Sequence, residues 1–249
     1  GFKLALMIAL YEVAWHLALP FVLLFLWRRG KKEPLYRAHW NERFGAVTTA
    51  LWHPLWIHSA SMGELRGAAP LVRALLHAGY PVIVTTLTPA GRTAGHQLFK
   101  EAIAEGRLQV AYVPLELSWA VQRFIRRVKP RAAVMTEIDT WPVLLATIRR
   151  ARVPLAMANA QYPRKSIERD RRFGGFRAGV FQAYQLVMCK SATHAQRFRD
   201  VGCTDVVVAG ETRFDLPVSP TQIAAAQALL APWRLATGTP GQRPVLCFA

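Results

Sequence analysis

Acidic residues are scarce in this chain: 15 Asp and Glu stand against 32 Lys and Arg over 249 residues, a formal net charge of +17. Such an excess implies anionic partners, whether nucleic acid, anionic lipid or a phosphorylated substrate. Nucleic acid is set aside. There is no zinc-finger spacing and no aromatic RNA-binding signature, and the basic residues are dispersed over predicted helices. Cysteine is scarcer still, with only Cys189, Cys203 and Cys247, none in a C-x-x-C pair. An odd, sparse set argues against a disulfide framework and for a reducing compartment. Cys189 and Cys247 lie in apolar runs that read as buried strands, where core packing outweighs chemistry.

Several common chemical signatures are also missing. There is no P-loop and no G-x-G-x-x-G. Ser61 is not in a G-x-S-x-G elbow, which argues against a hydrolase. His53 and His58 flank one predicted strand with no carboxylate or cysteine at ligand spacing, so no metal site is expected. Internal repeats and low-complexity tracts are absent.

One long apolar run is present, LALMIALYEVAWHLALPFVLLFLW at residues 4–27. Its length suits a bilayer span of roughly 20 residues. Glu12 and His16 lie four apart, hence on one helical face, and Pro20 continues that row. A carboxylate near mid-membrane costs about 2.5–3.5 kcal/mol, so Glu12 is expected to face protein, His16 or headgroups. The segment therefore either spans the bilayer or lies partly in the interface. A cleaved signal peptide fits less well, because the basic cluster follows the run and no small-x-small site is present. That cluster, Arg28-Arg29-Gly30-Lys31-Lys32, outweighs Lys3 and places the remainder on the cytoplasmic side. Anionic headgroups would add about 1 kcal/mol per basic residue. A buried first helix of a soluble domain is the alternative.

Beyond residue 45 apolar runs alternate with amphipathic stretches. Strands are predicted at 55–60, 81–87, 108–113, 131–137, 153–159, 185–189 and 205–210, and helices at 64–79, 91–104 and 221–232. Such alternation indicates an α/β fold, a doubly wound parallel sheet covered on both faces. Residues 214–220 read as a linker. The chain stops inside PVLCFA (244–249), which has the composition of a buried strand, and a second domain is expected to begin at about residue 243.

Ligands of open α/β sheets bind beyond the carboxyl ends of strands, so the turns there carry the candidates. After the first strand come Ser61, Gly63 and Glu64, at a helix start where small residues let a ligand approach the backbone. Glu64 can act as a general base on a sugar hydroxyl, or simply favour the helix macrodipole by about 0.3–1 kcal/mol. The second turn offers Thr88 and Arg92 for a phosphate or sugar, although Thr88 also suits a helix cap. After the fourth strand, Glu137 and Asp139 point the same way on an extended segment, toward sugar hydroxyls or a neighbouring arginine. The fifth turn begins at Asn159 and leads into a stretch with Arg169, Arg171, Arg172 and Arg177, either a solvated face or a phosphate contact.

Together these residues resemble the 3-deoxy-D-manno-octulosonic acid (Kdo) transferases, and the likeness runs over nearly the whole chain. It rests on Arg29-Gly30-Lys31-Lys32-Glu33-Pro34, Tyr36-Arg37, Glu42-Arg43-Phe44-Gly45 and His58-Ser59-Ala60-Ser61-Met62-Gly63-Glu64. Thr86-Leu87-Thr88-Pro89-Ala90-Gly91, the segment 137–142, Asn159-Ala160 and Gly210-Glu211-Thr212-Arg213-Phe214-Asp215 complete it. Each motif is weak alone, and their order and spacing are specific. The resemblance implies the N-terminal Rossmann-like domain of a GT-B-type glycosyltransferase. An anchor would occupy 1–32, the acceptor domain 33–216, and a linker with the first strand of a donor domain 217–249. It implies transfer of Kdo from CMP-Kdo to a lipid A precursor (lipid IVA), on the cytoplasmic face of the inner membrane, with no metal or other cofactor. Glu64 would be the base. Ser61, Gly63, Thr88, Arg92, Glu137, Asp139, Asn159 and Arg213 would bind substrate, and anionic lipids would meet the basic flank. Without its donor half the chain is not expected to be a complete enzyme.

Departures from the family pattern occur at Glu137-Ile138-Asp139-Thr140-Trp141-Pro142-Val143, at Gln161-Tyr162-Pro163, at Arg213 where lysine is usual, and at Leu115-Glu116 where Tyr-Asp is common. They mark a divergent member, in which the acceptor or the number of Kdo units added differs from the family pattern. The alternatives are a non-catalytic membrane-surface domain that binds anionic lipid, and a GT-B transferase using another nucleotide sugar.

Overall fold

A computed structural model describes residues 2–236, apart from Asp139 and Phe173. Its first compact unit ends at Phe214 and its second begins at Asp215. The first unit opens with α1 (Phe2–Arg29), α2 (Trp40–Arg43), β1 (Leu55–His58), α3 (Met62–His77), β2 (Val82–Thr86), α4 (Pro89–Leu98) and α5 (Lys100–Ala104). It continues through β3 (Leu108–Tyr112), α6 (Ser118–Val128), β4 (Ala132–Thr136), α7 (Pro142–Arg150) and β5 (Leu155–Ala160). The helices α8 (Arg164–Arg172) and α9 (Phe176–Phe181), then β6 (Leu186–Cys189), α10 (Ala192–Asp200) and β7 (Val206–Val208), complete it. In the second unit α11 (Pro220–Ala236) is described. The apolar run expected as a strand at 244–249, and Cys247 in it, lie outside the described residues.

All seven expected strands form one parallel sheet in the order β3-β2-β1-β4-β5-β6-β7. Period-two alternation divides strands β1 to β4 between two cores. Trp56 pairs in register with Ile83 and Ala133, and these three face the core built with Phe124, Leu144, Phe181 and Phe198. Ile57 and its neighbours Val82 and Val84 face the opposite core, closed by Leu65 and Val72 of α3. With both faces covered, β2 is buried at every position from Val82 to Thr86, which is why it reads as a nearly continuous apolar run. Cys189 and Cys203 are buried free thiols that burial pushes up to about 11, consistent with packing.

The helix expected over 91–104 is interrupted at Phe99. That residue leaves helical geometry (φ −121°, ψ 25°), and its side chain is buried in the α3 core. Its amide still donates to the Gly95 carbonyl at 3.1 Å and its carbonyl accepts the Ile103 amide at 2.9 Å, so the break is a local change of direction that accompanies burial of the ring.

The apolar N-terminal segment is a single helix with two unlike faces. Trp15, Leu19 and Leu23 pack on Leu115, Leu117 and Ala120, and Leu4 lies against Gly179. The Glu12 carboxylate turns toward protein and accepts the Ser118 amide at 2.6 Å. Phe2, Leu6, Leu10, Val13, Leu17, Phe21 and Leu24 are exposed, and their three- and four-residue spacing forms one stripe on the opposite side. The helix ends at Gly30, where a Cβ would stand 2.2 Å from Arg37 Cγ. Arg37 uses that room to donate to the Trp27 carbonyl at 2.8 Å and to stack on its ring.

Candidate active site

Strand order reverses between β1 and β4, so the crevice of this sheet lies beyond their carboxyl ends. The β1 turn carries Glu64 in the first turn of α3. Ser61 is the N-cap: its Oγ accepts the Glu64 amide at 3.3 Å and donates to Glu64 Oε1 at 3.1 Å. The Ala60 amide donates to Oε2 at 2.9 Å. This reciprocal arrangement is a capping box shifted by one residue at the second amide. The carboxylate stays partly exposed, and burial raises its pKa above the ordinary value, with Glu137 adding like-charge repulsion. Its hydrogen bonds act in the other direction. Gly63 is exposed, and a Cβ there would meet only Ser61 Oγ at 4.0 Å, so the turn is open on that side.

His58, at the end of β1, is fully buried and bonded through Nδ1 to Thr85, and burial lowers its pKa to about 4. It stays neutral near pH 7 and is part of the platform under the turn. Thr136 ties the platform to β4, donating to Ser59 Oγ at 3.0 Å and approaching the His58 carbonyl at 3.1 Å.

After β4, Glu137 takes the left-handed conformation (φ 62°), and so does Asn159, the penultimate residue of β5 (φ 52°). A left-handed glutamate is uncommon and persists only where its surroundings fix it. Here Gln161 Nε2 donates to Glu137 at 2.9 Å, and Lys190 and Arg213 stand at 3.8 and 3.5 Å. Glu211 pairs with the same two cations at 3.1 and 3.4 Å. Asn159 clamps Thr212, donating to its Oγ1 at 2.9 Å and accepting its amide at 3.0 Å. Thr212 Oγ1 also donates to the Gly67 carbonyl at 2.6 Å. The segment after β7 is thereby pulled back to α3, and Glu137, Asn159 and Arg213 meet in one network on the strand ends. Arg213 is about half exposed, so a ligand anion can reach it.

Thr88 and Arg92 are placed differently. Thr88 caps α4 by accepting the Gly91 amide at 3.1 Å. Arg92 is buried, with both terminal nitrogens on the Glu42 carboxylate and its guanidinium over the Tyr112 ring. Asp139 lies outside the described residues. Arg169, Arg171 and Arg172 are exposed, whereas Arg177 binds back to Thr140 Oγ1 at 2.6 Å and the Ile138 carbonyl at 3.1 Å. Lys190, Glu211, Gln161 and Thr212 were not among the sequence candidates. Lys190 was findable, since it directly follows the β6 strand as Glu137 follows β4.

A half-buried carboxylate of raised pKa at a switch point, near enough to Glu137 to feel its charge while Lys190 and Arg213 pair with Glu137, suits proton removal from a hydroxyl next to an anionic substrate. The family model of 3-deoxy-D-manno-octulosonic-acid transferase (kdotransferase) matches residues 38–216. The chain belongs to that family. A Kdo transferase of Bordetella pertussis is 32% identical over 244 residues, covering 96% of this chain and 55% of that protein. One from Haemophilus influenzae is 26% identical over 223 residues, covering 86% and 51%. The chain thus spans about half the length of these curated relatives. Among solved structures, a protein assigned as UDP-N-acetylglucosamine 2-epimerase from Listeria monocytogenes superposes with a TM-score of 0.50. Its identity is 12%, with 66% of this chain and 46% of that chain covered. The S. aureus MnaA–UDP structure gives 0.50 at 15% identity, covering 70% and 52%. These likenesses concern the fold, the GT-B-type Rossmann-like half.

Proposed function

We propose that this chain is the acceptor-side half of a Kdo transferase of lipopolysaccharide synthesis, with CMP-Kdo as donor and a lipid A precursor such as lipid IVA as acceptor. The acceptor hydroxyl oxygen bonds to the anomeric carbon of Kdo, the bond from that carbon to the CMP phosphate breaks, and the hydroxyl proton goes to Glu64. One observation carries the reading: Glu64, in the Ser61-x-Gly63-Glu64 motif, sits at the topological switch point as a half-buried carboxylate of raised pKa. Lys190 and Arg213 would meet the acceptor's phosphate, Gly63 would leave room for the sugar, and Ser61 would orient the base. Asn159 and Glu137 would act by holding the Arg213 loop, and Thr88 and Arg92 by holding the neighbouring turn. No metal or further cofactor is required by this scheme.

Membrane attachment belongs to the same proposal. The α1 helix is apolar and long enough to span, yet Glu12, Trp15, Leu19 and Leu23 dock along the domain. Crossing the bilayer would drag those partners into hydrocarbon, so α1 lies along the cytoplasmic surface of the inner membrane with its exposed stripe in the lipid. The basic residues at 28–32 would lie at anionic headgroups.

The decisive measurement is Kdo transfer by the complete gene product, using CMP-Kdo and lipid IVA in detergent. Glu64→Gln keeps the cap geometry and is expected to lower turnover by about 10²–10⁴-fold without lowering the melting temperature. Near-wild-type turnover in that variant would reject Glu64 as the base.

A further inference from the structure

A cavity of about 420 Å³ lies between α1 and the carboxyl ends of the sheet, away from the Glu64 turn. Trp15 and Phe25 of α1 roof it, and Leu87 and Leu144 contribute to an apolar floor. The volume falls within the roughly 300–1,000 Å³ of small-molecule sites. Two polar side chains in the lining have buried donors with no hydrogen-bond partner: Arg43, through Nε and Nη2, and Trp141, through Nε1. Arg43 is only 1% exposed. Its guanidinium face is occupied by the Tyr112 ring at 4.0 Å, but that contact leaves the in-plane donors unsatisfied. Buried donors without acceptors are rare, and a charged one is the most unfavourable kind.

We propose that this cavity binds a fatty-acyl chain, with a head oxygen of that chain (an ester or amide carbonyl, or a carboxylate) accepting from Arg43 and Trp141. The apolar walls match the methylene chain, and the two donors match the oxygen where the chain begins. The α1 helix explains how a chain enters, because its outer stripe faces lipid while its inner face roofs the cavity. Two sources share this chemistry, an acyl chain of the glycolipid acceptor and a chain of a bilayer lipid. The first source rests on the functional reading above, and the site itself does not.

Binding of cis-parinaric acid, a fluorescent fatty acid, tests the site on the chain as it stands. Saturable binding is expected. Val22→Trp, which fills the cavity from the roof, should weaken it by at least about tenfold, since the larger side chain takes the space the methylenes would occupy. Trp141→Phe keeps an aromatic side chain, smaller than the indole, and deletes the Nε1 donor, and should weaken it about fivefold. Glu64→Gln should leave it unchanged. Displacement by lipid IVA but not by phosphatidylglycerol assigns the acceptor's chain, and displacement by both assigns a bilayer lipid. Absence of saturable binding, or binding indifferent to both Val22→Trp and Trp141→Phe in variants that melt like the parent, overturns the proposal. If Kdo transfer were absent while chain binding kept this pattern, the functional reading would fail and the acyl site would stand.

Discussion

Ser61 and Glu64 hold one another from both ends: the Ser61 hydroxyl accepts the Glu64 amide at 3.3 Å and faces the Glu64 carboxylate at 3.1 Å. A helix cap and a candidate base are therefore one device. The cap fixes the carboxylate at the helix start, and its hydrogen bonds oppose the pKa rise that burial causes.

Replacing Ser61 by alanine should separate the two roles. Loss of the cap is expected to cost about 1 kcal/mol of stability. Loss of the hydroxyl donor removes an influence that lowers the Glu64 pKa, so that pKa rises further. A base must be ionised, so the acidic limb of the rate profile for the complete gene product should move to higher pH. An unmoved limb would separate Glu64 from the rate.

Gly67 and Arg213 give a variant in which stability and activity part company. A Cβ at Gly67 would stand 3.2 Å from Arg213 Nη2, and the arginine is half exposed and able to swing away. Gly67 is inside α3, where alanine is favoured by about 0.5–1 kcal/mol. Gly67→Ala should hold or raise the melting temperature while lowering Kdo transfer, because Arg213 loses its seat. Transfer at the parent rate would remove Arg213 from the site.

Glu116 should imprint a pH dependence on folding. Its carboxylate accepts the Val143 and Leu144 amides at 2.9 and 2.7 Å, and burial pushes it up to about 7. Between the ordinary carboxyl value of 4.5 and about 7 the folded chain holds a proton that the unfolded chain has released. This contribution is complete below the lower value and is lost as pH rises through the upper one. Denaturant unfolding of Glu116→Gln should show a smaller decline in stability than the parent over that window. Parallel curves would mean that Glu116 titrates elsewhere.

The outer stripe of α1 predicts a membrane phenotype without a folding one. Leu17 and Phe21 are 72% and 73% exposed, so glutamates there should leave the melting temperature unchanged. Burying each large apolar side chain in lipid is worth about 1.5–3 kcal/mol, so the double variant should sediment with anionic vesicles at least tenfold less well. Unchanged sedimentation would place the membrane contact on another face.

Much of the fold is legible because it rests on short-range pattern. Apolar runs such as PVIVTTL (81–87) announce strands covered on both faces, and Ser61 with Glu64 three residues later announces a helix start. The break at Phe99 is not legible, since no proline or glycine marks it and it accompanies a core contact. Arg92 and Glu42 are fifty residues apart, and nothing local distinguishes a cation held by a distant carboxylate from one that meets a ligand.

The sequence by itself determined the alternation of strands and helices, the apolar first segment with its basic flank, and the turn that carries Glu64. These depend on period, length and neighbouring residues, which are properties of the chain before it folds. Only the tertiary structure decided which side chains share the strand ends. It set Asn159 on Thr212, Lys190 and Arg213 around Glu137, and Glu12 of α1 on the Ser118 amide. Those contacts follow from strand order and helix docking, where residues far apart in the chain compete for the same few partners. In the same way it left Arg43 and Trp141 facing one cavity with donors unused, a relation that no spacing encodes.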